Sequence, residues 1–320
     1  MRILITGGLG FIGGRVAQHL QSLGHEIVLG SRNASHPPDW LSQAKVVQTD
    51  WNDARALERI CIGVDVVIQA AGINAQDCAA DPVIALEFNG LATARLVGAA
   101  SRTGVKRFIY LSTAHVYADP LIGVISEDTC PHNLHPYATS HLAGENAVLS
   151  ASQRGLIEGV VLRLSNAFGT PAHEYVNCWM LLVNDLCRQA VQTHKMVLHS
   201  SGLQQRDFIA ILEVCRVINY LSSCDLGAQL PNVFNVGSGI SQSVREMARL
   251  VQRRCRLVLG FDPELQYPVV GAGNRPRRLT YGQQGLEKMG FTICVDNKGE
   301  IDSLLAFCHA SFNQSRSLTT

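Results

Sequence analysis

Residues 6–13 of the chain read Thr6-Gly-Gly-Leu-Gly-Phe-Ile-Gly13 and lie between a short apolar run and a helical pattern. Glycine at 7 permits a tight turn, glycine at 10 lets backbone approach a pyrophosphate, and glycine at 13 lets helix and strand pack closely. The helix that follows would turn its unpaired N–H groups towards the phosphates. The stretch therefore predicts a dinucleotide-binding site that contains Gly7, Gly10, Phe11, Ile12 and Gly13.

Around this stretch, short β-rich runs alternate with longer helical patterns, which indicates a parallel sheet with crossover helices. Most of the runs are continuously apolar, as strands covered on both faces are. The strand candidates are Arg2–Thr6, Glu26–Leu29, Lys45–Gln48, Val64–Gln69, Arg107–Leu111 and Val160–Leu164. The helical patterns are Phe11–Leu23, Ala54–Cys61, Pro82–Arg102 and Tyr137–Arg154. We expect an α/β fold with a Rossmann-type doubly wound parallel sheet.

After Asn166 the alternation loosens, which predicts a smaller C-terminal substrate-binding lobe. We assign residues 1–166 to the dinucleotide-binding domain and residues 167–205 and 241–310 to the lobe. Residues 206–240 are expected to return to the first domain, with a helix over Asp207–Ser223 and a strand over Val233–Val236. The polar residues 311–320 are expected to be disordered.

Composition bounds the class of protein. The chain has 320 residues, 47% hydrophobic and 17% charged, and a net charge of +1, so nothing global points to nucleic acid or an anionic membrane. Ten cysteines without a CxxC pair or zinc spacing indicate free thiols in a reducing compartment and no metal site. The first apolar run is too short for a signal peptide, and no stretch approaches the ~20 apolar residues of a membrane span. We expect a soluble cytoplasmic protein.

The end of the second strand bears on the choice of cofactor. It reads Leu29-Gly-Ser-Arg-Asn33 and contains no acidic residue for ribose hydroxyls. Ser31 and Arg32 could instead bind a 2′-phosphate, which favours NADP over NAD; a solvated loop arginine is the alternative. Further cofactor contacts are expected at the ends of the third and fourth strands, from Asp50, Trp51, Ala70, Ala71 and Gly72.

Together with later motifs, the chain resembles the extended short-chain dehydrogenase/reductase family, in its NAD(P)-dependent nucleotide-diphosphate-sugar epimerase/dehydratase/reductase branch. The resemblance runs from Met1 to about Phe307. Besides the glycine stretch, the motifs that carry it are Gln69-Ala-Ala-Gly72, Asn89-Gly90, Leu111-Ser-Thr-Ala-His-Val-Tyr117, Leu162-Arg-Leu-Ser-Asn-Ala-Phe-Gly169, Arg206-Asp-Phe-Ile209 and Asn235-Val-Gly-Ser-Gly239.

The resemblance implies roles for individual residues. Tyr137 matches the catalytic acid/base, for which simple packing is the alternative, and Thr113 matches the residue that hydrogen-bonds the reacting sugar hydroxyl. The residues implied to contact the nucleotide-diphosphate sugar are Thr113, Asn166, Arg206 and Arg275, the last of which a plain surface charge would also explain. A homodimer through Pro82–Arg102 and Tyr137–Arg154 is implied as well, although burial in the core explains these apolar helices equally well.

Four departures from the family pattern stand out. The segment Tyr137-Ala-Thr-Ser-His141 ends in histidine where the family carries its catalytic lysine. Ala114-His115 stands where 4,6-dehydratases carry an acidic pair, so dehydration by that route is not expected. Ala118-Asp119 replaces a common glycine, and Arg277-Arg278 replaces a common Gly-Asp pair and adds positive charge near the expected anionic ligand.

The histidine changes the expected chemistry. Residues 137 and 141 share one helix face, and a phenol that titrates near ~10 must be activated to accept a proton at neutral pH. A histidine with an ordinary pKa is only about a quarter protonated there, so His141 stabilises a tyrosinate less than lysine does unless His115 or His135 compensates. His141 can still donate a hydrogen bond to the nicotinamide ribose or towards Tyr137, and both residues are expected to contact the cofactor. We expect hydride transfer at a sugar carbon, C4 by preference, and a ketosugar reductase over a fast epimerase. The alternative is a catalytically weak or inactive protein that binds cofactor and sugar nucleotide.

Overall fold

The computed structural model describes residues 1–33, 36–226, 232–268 and 277–312. The strands are β1 (Arg2–Thr6), β2 (Glu26–Ser31), β3 (Lys45–Gln48), β4 (Val66–Gln69), β5 (Arg107–Thr113), β6 (Gly123–Ile125), β7 (Glu158–Leu164), β8 (Asn166–Phe168), β9 (Lys195–Val197), β10 (Gln205–Ala210), β11 (Val233–Val236), β12 (Ser241–Ser243), β13 (Glu264–Gln266) and β14 (Leu279–Tyr281). The helices are α1 (Phe11–Ser22), α2 (Ala54–Cys61), α3 (Ala75–Ala80), α4 (Pro82–Ala85), α5 (Thr93–Arg102), α6 (Pro136–Gln153), α7 (Leu182–Thr193), α8 (Ile211–Ser223), α9 (Val244–Leu259), α10 (Gln284–Lys288) and α11 (Asn297–Phe312).

The central sheet has seven strands in the order β11-β7-β5-β4-β1-β2-β3, and every neighbouring pair is parallel. The chain leaves β1 towards β2 and β3, then returns to place β4 on the other side of β1. In such a sheet, ligands bind beyond the carboxyl ends of the strands at this reversal. The predicted Rossmann-type doubly wound fold is confirmed.

Helices cover both faces of the sheet because successive side chains of each strand point to opposite sides. Ile3, Ile5 and Ile109 belong to the hydrophobic core beneath α1 and α8. Leu4 and Phe108 belong to the opposite core beneath α2, α5 and α6. Most strands of the central sheet are therefore buried on both faces, as their continuous apolar runs predicted, whereas the edge strand β3 is partly exposed.

The predicted helix Pro82–Arg102 is interrupted. Helix α4 runs into a π-helical turn, Leu86–Ala92, and then into α5. By length and composition this segment could cross a membrane, so the expectation that no stretch approaches a span is wrong. Half of its apolar window is buried inside the protein, where α5 packs against α2 and α6.

A second hydrophobic core lies after β7, among α7, α9 and α11, and contains Phe168 and Phe208. Strands β12, β10 and β8 form a three-stranded sheet beside it. The helix expected to begin at Asp207 is wrong in its first turn, because residues up to Ala210 pair with β8 and β12, and the helix begins at Ile211. We keep the two-part division as a proposal, with residues 206–210 moved to the lobe.

Two other expectations, the disordered tail and the role of Arg275, concern residues that lie partly or wholly outside the described ranges. Ser311 and Phe312 form the end of α11 and are not disordered, and the remainder of the expected tail lies outside the described residues. Arg275 also lies outside them. All ten cysteines are free thiols that form no disulfide, as their spacing predicted.

Candidate active site at the carboxyl edge of the sheet

The glycine stretch forms the turn between β1 and α1. Gly7 has φ +65°, and a Cβ there would lie 2.7 Å from the Ala71 nitrogen at the end of β4. A Cβ on Gly13 would collide with the Gly7 carbonyl. Gly10 caps α1 without a side-chain hydrogen bond, and the first turn holds no acidic residue. The free N–H groups at this helix start, which include those of Phe11 and Ile12, fit the pyrophosphate of a dinucleotide.

The ends of β2 and β3 lie on one side of this turn. The Ser31 hydroxyl accepts a hydrogen bond from the backbone N–H of Asn33 at 3.3 Å, and the Arg32 side chain is exposed. Trp51 packs edge-on against Phe88, with ring centroids 5.5 Å apart. Its indole N–H is buried and has no hydrogen-bond partner among the described residues. Asp50, just before it, is exposed and accepts from a backbone N–H two residues on.

The end of β4 lies on the other side, against the π-helical turn and α6. Asn89 joins these elements, because its Oδ1 accepts from the Ile73 backbone at 2.9 Å and its Nδ2 donates to the Ser140 hydroxyl at 3.0 Å. A Cβ on Gly72 would lie 3.4 Å from Asn89 Oδ1 and 3.9 Å from His141 Cε1. The small residues after Gln69 thus leave room directly beside His141.

Tyr137 stands in the first turn of α6, beside Thr113 at the end of β5. The helix starts here because Pro136 fits its first position and the His135 ring caps it, accepting from the Tyr137 N–H at 3.1 Å. Burial raises the pKa of the Tyr137 phenol, and a hydrogen bond with Thr113 opposes that rise. The structure therefore brings together the two residues expected to meet the reacting sugar hydroxyl.

His141 lies one turn further along α6 and is only 6% exposed. Its ring meets the Tyr137 ring edge to face, with centroids 4.6 Å apart and 70° between the planes. Its Nδ1 lies 3.0 Å from the hydroxyl of Tyr110, a fully buried residue of β5. Burial lowers the pKa of His141 to about 4, so the imidazole is neutral at physiological pH.

The expected substrate contacts lie further along the edge. Asn166 donates through Nδ2 to the Asp207 carbonyl at 2.9 Å, which fixes its amide at the junction with the lobe. Arg206 is partly buried, and burial lowers its pKa against the opposing effect of Asp119. His115 is also partly buried, and its pKa is lowered mainly by burial.

A buried polar network beneath α6 was not predicted. Arg163 on β7 binds Glu145 through Nη2 at 2.6 Å, and Glu145 also accepts from the Ser112 hydroxyl at 2.5 Å. Tyr110 was missed as well, although a tyrosine inside a fully buried strand signals a required hydrogen-bond partner. The sequence does not show which partner that is.

The chain is similar to known proteins over most of its length. A model of the NAD-dependent epimerase/dehydratase family matches residues 3–237. A putative UDP-glucose 4-epimerase of Methanocaldococcus jannaschii is 24% identical over 278 residues, with 83% of this chain and 85% of the relative covered. The dTDP-6-deoxy-L-talose 4-dehydrogenase (NAD(P)(+)) of Kitasatospora kifunensis is 28% identical over 262 residues, with 78% of each chain covered.

Among solved structures, MoeE5 in complex with UDP-glucuronic acid and NAD is similar to this chain with a TM-score of 0.79 and 26% identity, covering 97% of this chain and 100% of MoeE5. The UDP-N-acetylglucosamine 4-epimerase from Methanobrevibacter ruminantium has a TM-score of 0.80 at 22% identity, covering 96% and 97%. Proteins of known structure thus share the fold of nearly the whole chain.

Proposed function

Because the chain belongs to the NAD-dependent epimerase/dehydratase family, we propose that it is an NAD(P)-dependent oxidoreductase that transfers hydride at C4 of a nucleotide-diphosphate sugar. The observation that carries this proposal is the placement of Thr113, Tyr137 and His141 beside Gly72 and the glycine turn. A site that only bound a dinucleotide would not need an acid/base tyrosine and a hydroxyl next to it.

The cofactor fits the glycine turn and the small residues after β4. When bound, a nicotinamide dinucleotide accepts a hydride from the sugar carbon or returns one to it. The residues of the chain handle the proton: in reduction, the Tyr137 hydroxyl gives its proton to the ketone oxygen while Thr113 orients that oxygen. The tyrosinate then regains a proton from solvent, so each turnover consumes one hydride and one proton.

The reductive direction suits this site better than oxidation does. Burial raises the pKa of Tyr137, and the neutral His141 adds no positive charge that would stabilise a tyrosinate. A protonated phenol is ready to act as an acid at neutral pH but must be deprotonated before it acts as a base. The named activity of the Kitasatospora relative, a 4-dehydrogenase that uses NAD(P), supports net hydride transfer at C4 over epimerisation.

We infer a preference for NADP from the end of β2. Gly30 pairs with Thr6 across β1 and β2, which puts Ser31 and Arg32 next to the glycine turn. A guanidinium and a hydroxyl there suit a 2′-phosphate. The similar MoeE5 structure holds NAD, so the two cofactors must be compared directly.

The homodimer is proposed from exposed apolar side chains. Four of them lie on the helical segment Pro82–Arg102: Val83, Ile84, Leu86 and Leu91, each at least 46% exposed. Sedimentation of the wild-type chain and of Leu91→Glu tests this, and Leu257→Glu is a control at an exposed leucine of α9. Dissociation by the first substitution alone supports the interface, and a monomeric wild-type chain contradicts it.

The function is tested by incubating the purified protein with NADP(H) or NAD(H) and UDP- and dTDP-sugars, including 4-ketosugars. Cofactor absorbance and sugar products are followed across pH 6–9. We expect reduction of a 4-ketosugar to exceed epimerisation. Cofactor binding with no turnover of any sugar favours the second candidate, a weak or inactive binding protein, for which the neutral buried His141 is the supporting observation.

A further inference from the structure

We propose that Tyr110 is a positioning residue that holds His141 in a single tautomer, by donating its hydroxyl proton to Nδ1 so that the imidazole carries its own proton on Nε2. This inference deepens the proposed function and rests on it for its catalytic meaning. The sequence motifs assign no role to Tyr110, which lies 31 residues from His141.

The contact is a well-formed buried hydrogen bond. Tyr110 Oη lies 3.0 Å from His141 Nδ1, and Tyr110 is 1% exposed and His141 6% exposed. The two rings are tilted by 38° with centroids 5.9 Å apart. Water is excluded from the phenol, so its hydroxyl must find a partner within the protein.

Among the described residues, two acceptors lie within hydrogen-bond distance of that hydroxyl, and one is much better placed. The Thr93 hydroxyl also interacts with the phenol, and its own proton goes to the Asn89 carbonyl. The Asn89 carbonyl lies 3.4 Å from Tyr110 Oη, near the limit for a hydrogen bond, and it already accepts from the Thr93 hydroxyl at 2.8 Å. His141 Nδ1 is closer at 3.0 Å. The Tyr110 proton therefore belongs on the line to Nδ1, and Nδ1 acts as the acceptor.

The protonation states agree with this assignment. Burial, with smaller effects of Glu145 and Tyr137, raises the pKa of Tyr110, so the phenol keeps its proton. Burial alone lowers the pKa of His141 to about 4, and no charged side chain opposes it. The titratable groups around the pair are Tyr137, Cys78 and Glu145. A neutral imidazole whose Nδ1 accepts must be protonated on Nε2.

The Nε2–H group is thereby left for the site. Nε2 has no hydrogen-bond partner among the described residues, whereas the ring edge at Cε1 faces Gly72 and the ring meets Tyr137. His141 then offers one fixed, uncharged donor where a lysine would offer a rotating cation. Without the Tyr110 hydroxyl, the two tautomers would compete, and a fraction of the molecules would present an acceptor instead.

The direct test determines which ring nitrogen of His141 carries the proton. Protein labelled with ring-¹⁵N histidine is studied by two-bond ¹H–¹⁵N correlation spectra, and the His141 signals are assigned by their loss in His141→Gln. We expect unprotonated Nδ1 and protonated Nε2 in the wild-type chain at pH 7, and an altered tautomer balance in Tyr110→Phe. The inference is overturned if Nδ1 carries the proton in the wild type or if Tyr110→Phe leaves both nitrogen shifts unchanged.

A matched control is Tyr117→Phe, which removes a buried hydroxyl that donates to Asn235 Oδ1 at 2.7 Å instead. We expect it to leave the His141 signals unchanged. In ketosugar reduction, Tyr110→Phe should lower kcat by at least about fivefold with unchanged sugar KM, a loss that one hydrogen bond can cause. Equal kcat in Tyr110→Phe and wild type overturns the catalytic role. The expected tautomer with no turnover in the wild type supports the Tyr110–His141 bond and contradicts the proposed function.

Discussion

The imidazole of His141 meets the phenol of Tyr137 edge to face at 4.6 Å between centroids, and this ring contact replaces the charge that a lysine would bring. An edge-to-face contact of this kind contributes about 1 kcal/mol to the stability of the folded protein. Because His141 is buried and neutral, it does not make Tyr137 a stronger acid. The chemistry of the site is therefore best probed by changing charge, protonation and packing separately.

A positive charge at position 141 should change the pH dependence of sugar oxidation. In the wild type, we expect the oxidation rate to rise continuously from pH 7 to 9, because the pKa of Tyr137 is raised by burial. His141→Lys should speed oxidation at pH 7 by roughly tenfold, since a nearby cation stabilises the tyrosinate. Rates of both proteins against pH give the answer. Superimposable profiles would show that residue 141 does not act on Tyr137.

Removing the Tyr137 hydroxyl should separate binding from catalysis. Tyr137→Phe is expected to lower kcat by about 10²–10⁴-fold, the usual contribution of a positioned acid. Cofactor affinity, measured by calorimetry, should stay within about twofold because the glycine turn is untouched. A variant with wild-type kcat would remove Tyr137 from the mechanism.

The buried histidine should make stability depend on pH. The pKa of His141 is about 4 in the folded protein against 6.5 in the unfolded chain, so the unfolded state binds more protons between these values. Its contribution is fully present above pH 6.5 and is lost as pH falls towards 4, by about 3 kcal/mol in total. In urea unfolding experiments, the free energy of unfolding of His141→Gln should fall less between pH 6.5 and pH 4 than that of the wild type.

His199→Gln is the matched control for this measurement, because it removes an exposed imidazole instead. Its free energy of unfolding should fall with decreasing pH as that of the wild type does. A parallel decline in the wild type and His141→Gln would mean that His141 is protonated equally in both states.

The buried ion pair should matter far more than an exposed one. Arg163 and Glu145 are 7% and 0% exposed, and Glu145→Gln leaves the guanidinium without its charge partner. We expect a loss of about 3 kcal/mol in the free energy of unfolding. Glu58→Gln, which breaks the exposed pair with Arg102, should cost less than about 1 kcal/mol. Similar losses in urea unfolding would contradict the structural role of Glu145.

The choice of cofactor should depend on Arg32. Arg32→Ala is expected to weaken NADP binding by roughly tenfold and to leave NAD binding unchanged, because only NADP carries a phosphate for the guanidinium. Lys45→Ala is the control, since Lys45 lies at the start of β3, away from the carboxyl edge. Equal effects on the binding of both cofactors would mean that Arg32 is a solvated loop residue that does not bind the 2′-phosphate.

Local sequence determined much of this protein. The glycine spacing and the alternation of apolar runs and helical patterns fix the dinucleotide turn and the parallel sheet, because both depend on backbone geometry over a few neighbouring residues. The four-residue spacing of Tyr137 and His141 likewise puts them on one helix face. These features could be predicted without knowing which strands are neighbours.

Only the tertiary structure decided the rest. Residues 207–210, which were predicted to begin a helix, lie in a strand because β8 and β12 provide hydrogen-bond partners for them. The partner of His141 is Tyr110, a residue that only the packing of α6 on β5 brings within 3.0 Å. The charge of His141 follows from the same packing, because a pKa reports the loss of water around a group and not its place in the sequence.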